Sequence, residues 1–151
     1  MRHEQQLDRN CAIARTGAML GERWVFAILR AAYFRARTFE DYLAATGIAR
    51  NVLSDRLRNL VEYGILEKRP YEQTAGRTRN EYRLTDAGLD LYPVIVAMMQ
   101  WGNKHAGFDS GPPVVLRHRG CGEITEPRMV CSECGDEVHA REMQPMPGPG
   151  A

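Results

Sequence analysis

Four potential metal ligands lie close together near the C-terminal end of the sequence. They form two pairs, His118 with Cys121 and Cys131 with Cys134, and each pair has two intervening residues and a following glycine. Both residues of such a pair can reach one ion, and the glycine suits a tight turn that points N–H groups at sulfur. One nitrogen and three sulfur ligands favour tetrahedral Zn²⁺. The spacing therefore predicts a zinc-ribbon-like appendage with a structural zinc ion.

Two other interpretations of these cysteines stay open: reduced residues in a loose tail, or thiols of a disulfide or redox switch. A catalytic zinc is disfavoured because four protein ligands leave no position for water. The zinc deaminase pattern would also require a glutamate and a proline where the chain has Gly120 and Val130. No nucleophile elbow, P-loop or dinucleotide fingerprint occurs elsewhere, so we do not expect an enzyme. His139 is a spare candidate ligand, although an ordinary surface histidine is the simpler interpretation.

The composition indicates a cytoplasmic globular protein. The 151 residues suffice for one ordinary domain with a small appendage. No apolar h-region follows the N-terminus, and the longest apolar run, residues 92–99, is too short to span a membrane. We therefore expect no membrane partner. In the reducing cytoplasm, the four cysteines are expected to be metal ligands or redox-active thiols rather than a disulfide framework.

The first half of the chain has the periodicity of helices. Residues 11–33 are predicted to be helical with a break at Gly21. Thr38 is a good N-cap for the next helix, and Gly47 is a plausible stop. A further helix, ending at Gly64, carries a narrow apolar stripe made of Leu53, Leu57, Leu60 and Val61. The short turn between the last two helices predicts a helix-turn-helix.

After Gly64 the pattern changes to two strands joined by a polar segment. ILEKRPY and NEYRLT flank EQTAGRTR, which predicts a β-hairpin with a basic tip. Thr85 then caps a long apolar helix that is expected to kink near Pro93. The fold class is therefore mainly α with a small β-hairpin wing. No internal repeat is apparent in the sequence.

The domain organisation follows from these elements and from composition. Residues 1–106 are assigned to one domain, and residues 107–113 to a linker. Residues 114–141 form the zinc-ribbon-like appendage, and residues 142–151 are expected to be a disordered tail.

Positive charge is concentrated in the predicted helix-turn-helix and hairpin. Residues 50–83 contain eight basic and five acidic side chains, a net charge of +3 in a chain whose total is +1. A recognition helix can offer side chains to base edges in the major groove, and a hairpin can place arginines near phosphates. A charged helix face is usually only a solvated face, but this combination favours double-stranded DNA as the partner.

The same segments resemble the HxlR-type winged helix-turn-helix transcriptional regulators, which are related to the MarR family. The similarity covers roughly residues 8–106 and includes LGERW, VLSDRLRNLVEYGIL and EYRLTDAG. It implies a homodimer, joined by its N- and C-terminal helices, on a pseudo-palindromic operator. By position, it places on the recognition helix Arg50, Asn51, Ser54, Asp55 and Arg58, and on the wing Arg77 and Arg79. Arg50 and Arg58 are hypothesised to contact phosphates or guanine edges.

The chain departs from the family pattern at two positions. Ala49 stands where family members often have a serine or threonine that caps the recognition helix. Ala12 replaces the proline that often follows the N-terminal cysteine, which is Cys11 here. The resemblance makes Cys11 a possible redox sensor, and the alternative is a small apolar residue packed at the dimer interface.

The predicted function is a repressor that responds to a small-molecule or redox signal. An apolar stripe on the last helix is expected to form core or dimer seam, or to line an effector pocket: Leu91, Val94, Ile95, Met98 and Trp101. The alternative function is a winged-helix adaptor that docks proteins through its zinc tail. A steep salt dependence of binding to a defined DNA sequence would favour the regulator.

Overall fold

The computed structural model describes residues 10–72 and 78–150. By their contacts, the residues form two compact units, Met1–Ile95 and Val96–Ala151. The elements of the N-terminal unit are α1 (Ala12–Leu20), α2 (Val25–Tyr33), α3 (Phe39–Thr46), α4 (Arg50–Glu62), β1 (Leu66–Glu72), β2 (Thr78–Leu84) and α5 (Asp86–Asp90). Helix α6 (Tyr92–His105) crosses the division, and the C-terminal unit continues with β3 (Leu116–Arg117) and β4 (Ile124–Thr125).

The division between the units lies inside α6, whereas the sequence suggested a boundary at residue 106. Residues 107–113 contain no helix or strand. The predicted linker, appendage and disordered tail stay predictions. Among the described residues, no helix combines the length and the apolar character needed to cross a membrane.

The core of the N-terminal unit is formed by α2, α3, α4 and the start of β1. Its fully buried large side chains are Ile28, Leu29, Tyr42, Leu53, Leu57, Leu60 and Leu66. The three leucines of α4 recur at helical spacing, so they turn one face of that helix to the core, as the apolar stripe predicted. Val61, the fourth member of the predicted stripe, is only partly buried.

Local signals set the geometry of the helix-turn-helix, α3 and α4. The Thr38 hydroxyl accepts a hydrogen bond from the Asp41 N–H at 3.2 Å, and the Asp41 carboxylate accepts one from the Thr38 N–H at 2.8 Å. This reciprocal capping box satisfies two of the free N–H groups at the start of α3. Gly47 has φ +64 and ends the helix in the left-handed conformation. Both predicted ends of α3 are confirmed.

Strands β1 and β2 form the predicted hairpin, which we call the wing. They pair antiparallel from Leu66 opposite Leu84 to Glu72 opposite Thr78. The segment before α3 joins the edge of the wing, because the Tyr82 N–H donates to the Arg37 carbonyl at 2.7 Å. The sequence did not predict this contact, which attaches the wing to the helix-turn-helix. The tip of the wing, including Arg77, lies outside the described residues.

The prediction of a single kinked helix after Thr85 is wrong. The structure has two helices, α5 and α6, which are separated at Leu91. Thr85 does cap α5, and its hydroxyl accepts a hydrogen bond from the Gly88 N–H at 3.1 Å. Pro93 has no N–H with which to continue the hydrogen-bond ladder of α5, whereas the first turn of a new helix tolerates proline. The chain therefore ends one helix and begins another.

Candidate nucleic-acid interface

Helix α4 presents the five residues that were predicted to lie on the recognition helix. All of them are exposed: Arg50, Asn51, Ser54, Asp55 and Arg58. The opposite face is anchored by Leu53, Leu57 and Leu60, which are fully buried. The core thus fixes the orientation of α4 and leaves a polar face available to a partner. The placement of these residues matches the prediction, and their contacts with DNA stay predictions.

Arg50, at the start of α4, is paired with Glu40 of α3. Its two terminal nitrogens lie 2.7 and 3.2 Å from the Glu40 carboxylate oxygens, and its guanidinium lies 5.0 Å from the centre of the Phe39 ring. The Arg50 and Glu40 side chains are 62% and 56% exposed, so solvent and salt weaken the pair. The interaction therefore positions Arg50 without preventing it from exchanging Glu40 for another anion.

Glu40 interacts electrostatically with arginines of both the recognition helix and the wing. The hydrogen bond from Arg50 lowers the pKa of Glu40, and the positive charges of Arg50 and Arg79 lower it further. The same hydrogen bond raises the pKa of Arg50. In the sequence, Glu40 is simply an acidic residue in the first turn of α3, where the helix dipole favours it. Its role as the counter-ion of Arg50 was missed because the two residues are ten positions apart on different helices.

Arg58 is also paired within the helix. Its guanidinium forms an ion pair with the Asp55 carboxylate three residues earlier, and both side chains are more than half exposed. Both arginines hypothesised to contact DNA therefore have carboxylate partners in the free protein. Binding of a phosphate by Arg50 or Arg58 requires an exchange of partners, which exposed ion pairs permit.

The other basic side chains of residues 50–83 are not all available to DNA. Arg56 is only 25% exposed, lies 2.5 Å from the Glu22 carboxylate and donates to the Arg23 carbonyl at 3.4 Å. Arg69 and Arg83 pair with Glu67 and Glu81 of the wing, at 2.5 and 2.6 Å. Within the described part of this segment, the cations without an ion-pair partner are Lys68 and Arg79. The net charge of +3 therefore overstates the freely available positive charge.

Cys11 lies at the N-cap position of α1 and is exposed. Its carbonyl accepts a hydrogen bond from the Arg15 N–H at 3.0 Å, but its side chain makes no capping hydrogen bond. The position agrees with the predicted start of the first helix. Neither redox sensing nor packing at a dimer interface is tested by this geometry.

An open groove of about 640 Å³ lies beside the end of α2 and the outer face of α3. Its lining includes Arg30, Phe34, Arg35 and Asp41. None of the residues of the predicted apolar stripe lines this groove. Two members of that stripe, Met98 and Trp101, are 46% and 66% exposed on α6. The dimer seam and the effector pocket both stay predictions.

The four predicted metal ligands are arranged as two separate pairs. The His118 Nδ1 atom lies 3.4 Å from the Cys121 Sγ atom. Cys131 accepts hydrogen bonds from the backbone N–H groups of Cys134 and Glu133, which lower the pKa of its thiol. All four cysteines of the chain are free thiols. Within residues 10–72 and 78–150, no three His, Cys, Asp or Glu side chains converge on a possible metal position.

The comparisons with known proteins agree with this geometry. The profile of the HxlR-like helix-turn-helix family matches residues 19–109. The HTH-type transcriptional regulator Rv3095 of Mycobacterium tuberculosis is 46% identical over 139 residues, which are 92% of this chain and 87% of that protein.

Two solved structures are similar over nearly the whole chain. The structure of PA1607, a candidate transcription factor, superposes with a TM-score of 0.83 at 30% identity, over 94% of this chain and 98% of that one. PA1374 of Pseudomonas aeruginosa, also a candidate transcription factor, gives a TM-score of 0.65 at 35% identity, over 93% and 94% of the two chains. With its winged helix-turn-helix, the chain belongs to the HxlR-like helix-turn-helix family of transcriptional regulators.

Proposed function

We propose that the protein is a repressor that binds a pseudo-palindromic DNA operator as a homodimer. One observation carries this proposal: α4 presents a polar face beside the base of the wing, while its opposite face is locked in the core. Each α4 enters the major groove of one half-site, and each wing lies along the adjacent backbone. The family match and the named relatives favour a regulator over an enzyme. A cytoplasmic location remains a prediction.

Exposed apolar side chains support the dimer. Ile13 of α1 is 85% exposed and Trp101 of α6 is 66% exposed. Large apolar side chains with this exposure are typical of surfaces that a partner covers. A second subunit that covers either helix would bury the exposed side chain of that helix.

The signal that releases the operator is proposed to be either an oxidant that modifies Cys11 or a small molecule. The exposure of Cys11 supports the first route, since an exposed thiol is accessible to an oxidant. Mass spectrometry after mild oxidation tests it. An unmodified Cys11, with DNA binding retained, would leave the small-molecule route.

Fluorescence anisotropy on DNA from the upstream region of the gene itself tests the regulator, with a scrambled duplex as the control. We expect selective binding that weakens steeply with salt. Arg58→Ala should weaken binding, either uniformly with a flatter salt dependence if it contacts phosphate, or with relaxed specificity if it contacts a base. Arg30→Ala is the matched control, because it removes the same charge from α2.

The outcomes separate the regulator from the adaptor. Selective binding that Arg58→Ala weakens and Arg30→Ala preserves would support the regulator. Equal effects of the two substitutions would contradict the docking of α4. A protein that binds no DNA fragment of its genome selectively would favour the adaptor that uses its C-terminal unit to bind proteins.

A further inference from the structure

We propose that the C-terminal unit binds one Zn²⁺ ion through His118 Nδ1 and the Sγ atoms of Cys121, Cys131 and Cys134, and that the ion joins two copies of the same hairpin. The site is structural and has no role in the chemistry of any reaction. The proposal goes beyond DNA binding and rests on the backbone of residues 116–138.

The backbone of this segment repeats after thirteen residues, and the repeat extends beyond the paired ligand spacing to the hydrogen bonds of each turn. His118 corresponds to Cys131, Cys121 to Cys134, and the following glycines to each other. In the first copy, the His118 N–H donates to the Glu123 carbonyl at 2.9 Å, and the Gly122 N–H donates to the His118 carbonyl at 2.8 Å.

The second copy has the same two hydrogen bonds. The Cys131 N–H donates to the Asp136 carbonyl at 2.8 Å, and the Gly135 N–H donates to the Cys131 carbonyl at 2.9 Å. Gly122 and Gly135 have φ +79 and +78, a left-handed conformation that favours glycine. The two turns are therefore the same structure, although three of the four ligands are cysteines and one is a histidine.

The strands around the turns repeat in the same register. Arg117 pairs with Ile124 in the first hairpin, and Val130 bridges Glu137 at the equivalent positions of the second. In the second hairpin, the Val138 N–H also donates to the Met129 carbonyl at 3.0 Å. Each copy is thus a short hairpin whose turn carries two ligands at the same two positions.

The first turn already holds its two ligands at the spacing of a tetrahedral zinc site. Zinc bonds of about 2.05 Å to nitrogen and about 2.3 Å to sulfur place these two atoms roughly 3.6 Å apart. The observed distance between His118 Nδ1 and Cys121 Sγ is 3.4 Å. The imidazole lies over Gly120, where a Cβ atom would be 2.9 Å from its Cε1 atom. Glycine at this position therefore leaves room for the ring orientation that presents Nδ1.

The second turn points backbone N–H groups at one of its ligands. The N–H groups of Glu133 and Cys134 donate to the sulfur of Cys131. The first turn therefore offers one nitrogen and one sulfur ligand, and the second turn offers two sulfur ligands.

The C-terminal unit also lacks the apolar core that would hold it together. Among its described residues, the only buried apolar side chain is Val96 of α6, whereas Ile124, Met129 and Val130 are 57–73% exposed. The unit is smaller than about 70 residues, a size at which an apolar core alone rarely gives much stability and a metal or disulfides are often added. Its three cysteines are free thiols. Metal binding supplies the missing free energy of folding as it draws the two ligand pairs together.

Metal analysis of the full-length protein, purified without chelators, tests the site. We expect one zinc per chain, and after replacement by Co²⁺ we expect thiolate-to-cobalt charge-transfer and tetrahedral d–d absorption bands. Binding of the metal should also be weakened at low pH, because the ligands must be deprotonated. His118→Ala and Cys134→Ser should each lose the metal or bind it at least tenfold more weakly.

Two matched substitutions outside the site provide the controls. His139→Ala and Cys11→Ser should keep one zinc per chain and the same cobalt spectrum. The site is overturned if metal-free wild-type protein titrated with Co²⁺ shows no charge-transfer band, a result that does not depend on any variant folding. Equal zinc loss in the variants and in their controls would also overturn the ligand assignment.

Discussion

Replacing Glu40 by glutamine tests whether the pair between Arg50 and Glu40 competes with DNA. Arg50 donates two hydrogen bonds to the Glu40 carboxylate, at 2.7 and 3.2 Å, on an exposed surface. Glu40→Gln removes one negative charge per subunit beside the proposed DNA-binding face and breaks the ion pair that holds Arg50. We expect Glu40→Gln to bind DNA more tightly at low salt and to lose this advantage as the salt concentration rises.

The size of the effect follows from counterion release. Each phosphate that a protein neutralises adds about 0.9 to the magnitude of the slope of log K against log salt concentration. If Arg50 of each subunit of a dimer gains one phosphate contact, the slope steepens by about 1.8. Between about 50 and 200 mM salt, the affinity advantage of the variant should therefore shrink about twelvefold.

The assay is fluorescence anisotropy on a non-specific duplex and on the operator, at several salt concentrations. Glu137→Gln is the matched control, because it breaks a pair of the same type, with Arg128 at 2.8 Å, in the C-terminal unit. Its slope should equal that of the wild type. Equal slopes of log K against log salt concentration for Glu40→Gln and the wild type, with both proteins folded, would refute the idea that Glu40 competes with phosphate for Arg50.

Three further predictions concern the elements that position α4 and the wing. Ala49→Ser should raise the free energy of unfolding by about 1 kcal/mol in urea denaturation, because the N-cap of α4 has no side-chain hydrogen bond. The control is Ala49→Gly, which supplies no hydroxyl and should give at most a small part of this gain. Gly88→Ala should lower the melting temperature strongly, because its Cβ would lie 2.2 Å from the Ile65 carbonyl oxygen, whereas Gly102→Ala on α6 meets no neighbour within 4 Å. Burial raises the pKa of Tyr42 from 10.0 to about 12, so the folded state retains the phenol proton more strongly than the unfolded state. The resulting stability is complete below pH 10 and is lost as the pH rises towards 12, by roughly 2–3 kcal/mol. Denaturation of the wild type and Tyr42→Phe across this pH range checks it, and an equal loss of stability in both proteins would contradict the assignment to Tyr42.

The sequence determined the features that depend on neighbouring residues. The capping box of Thr38, the stop at Gly47 and the three buried leucines of α4 follow from side chains within two helical turns, and all were predictable. The turns at Gly122 and Gly135 also follow from local spacing. These signals, together with the family resemblance, were sufficient to identify the winged helix-turn-helix and its exposed recognition face.

Only the tertiary structure decided which charges on that face are free. Arg50 meets Glu40 from another helix, and Arg56 meets Glu22 from a loop more than thirty residues earlier. These ion-pair partners depend on how the elements pack together, and the spacing of residues in the sequence does not predict that packing. The attachment of the wing at Tyr82 is equally non-local.

In the C-terminal unit, too, the sequence predicted local features but not how the strands pair. The spacing of its ligands could be predicted from the sequence because each pair lies within one turn. The matching strand pairing of the two hairpins could not be predicted, because their residues differ. It is visible only in the backbone, since hydrogen bonds between main-chain groups and the left-handed glycines define the turn whatever side chains it carries. Local chemistry thus determined the parts of this protein, and packing decided which of their charges meet.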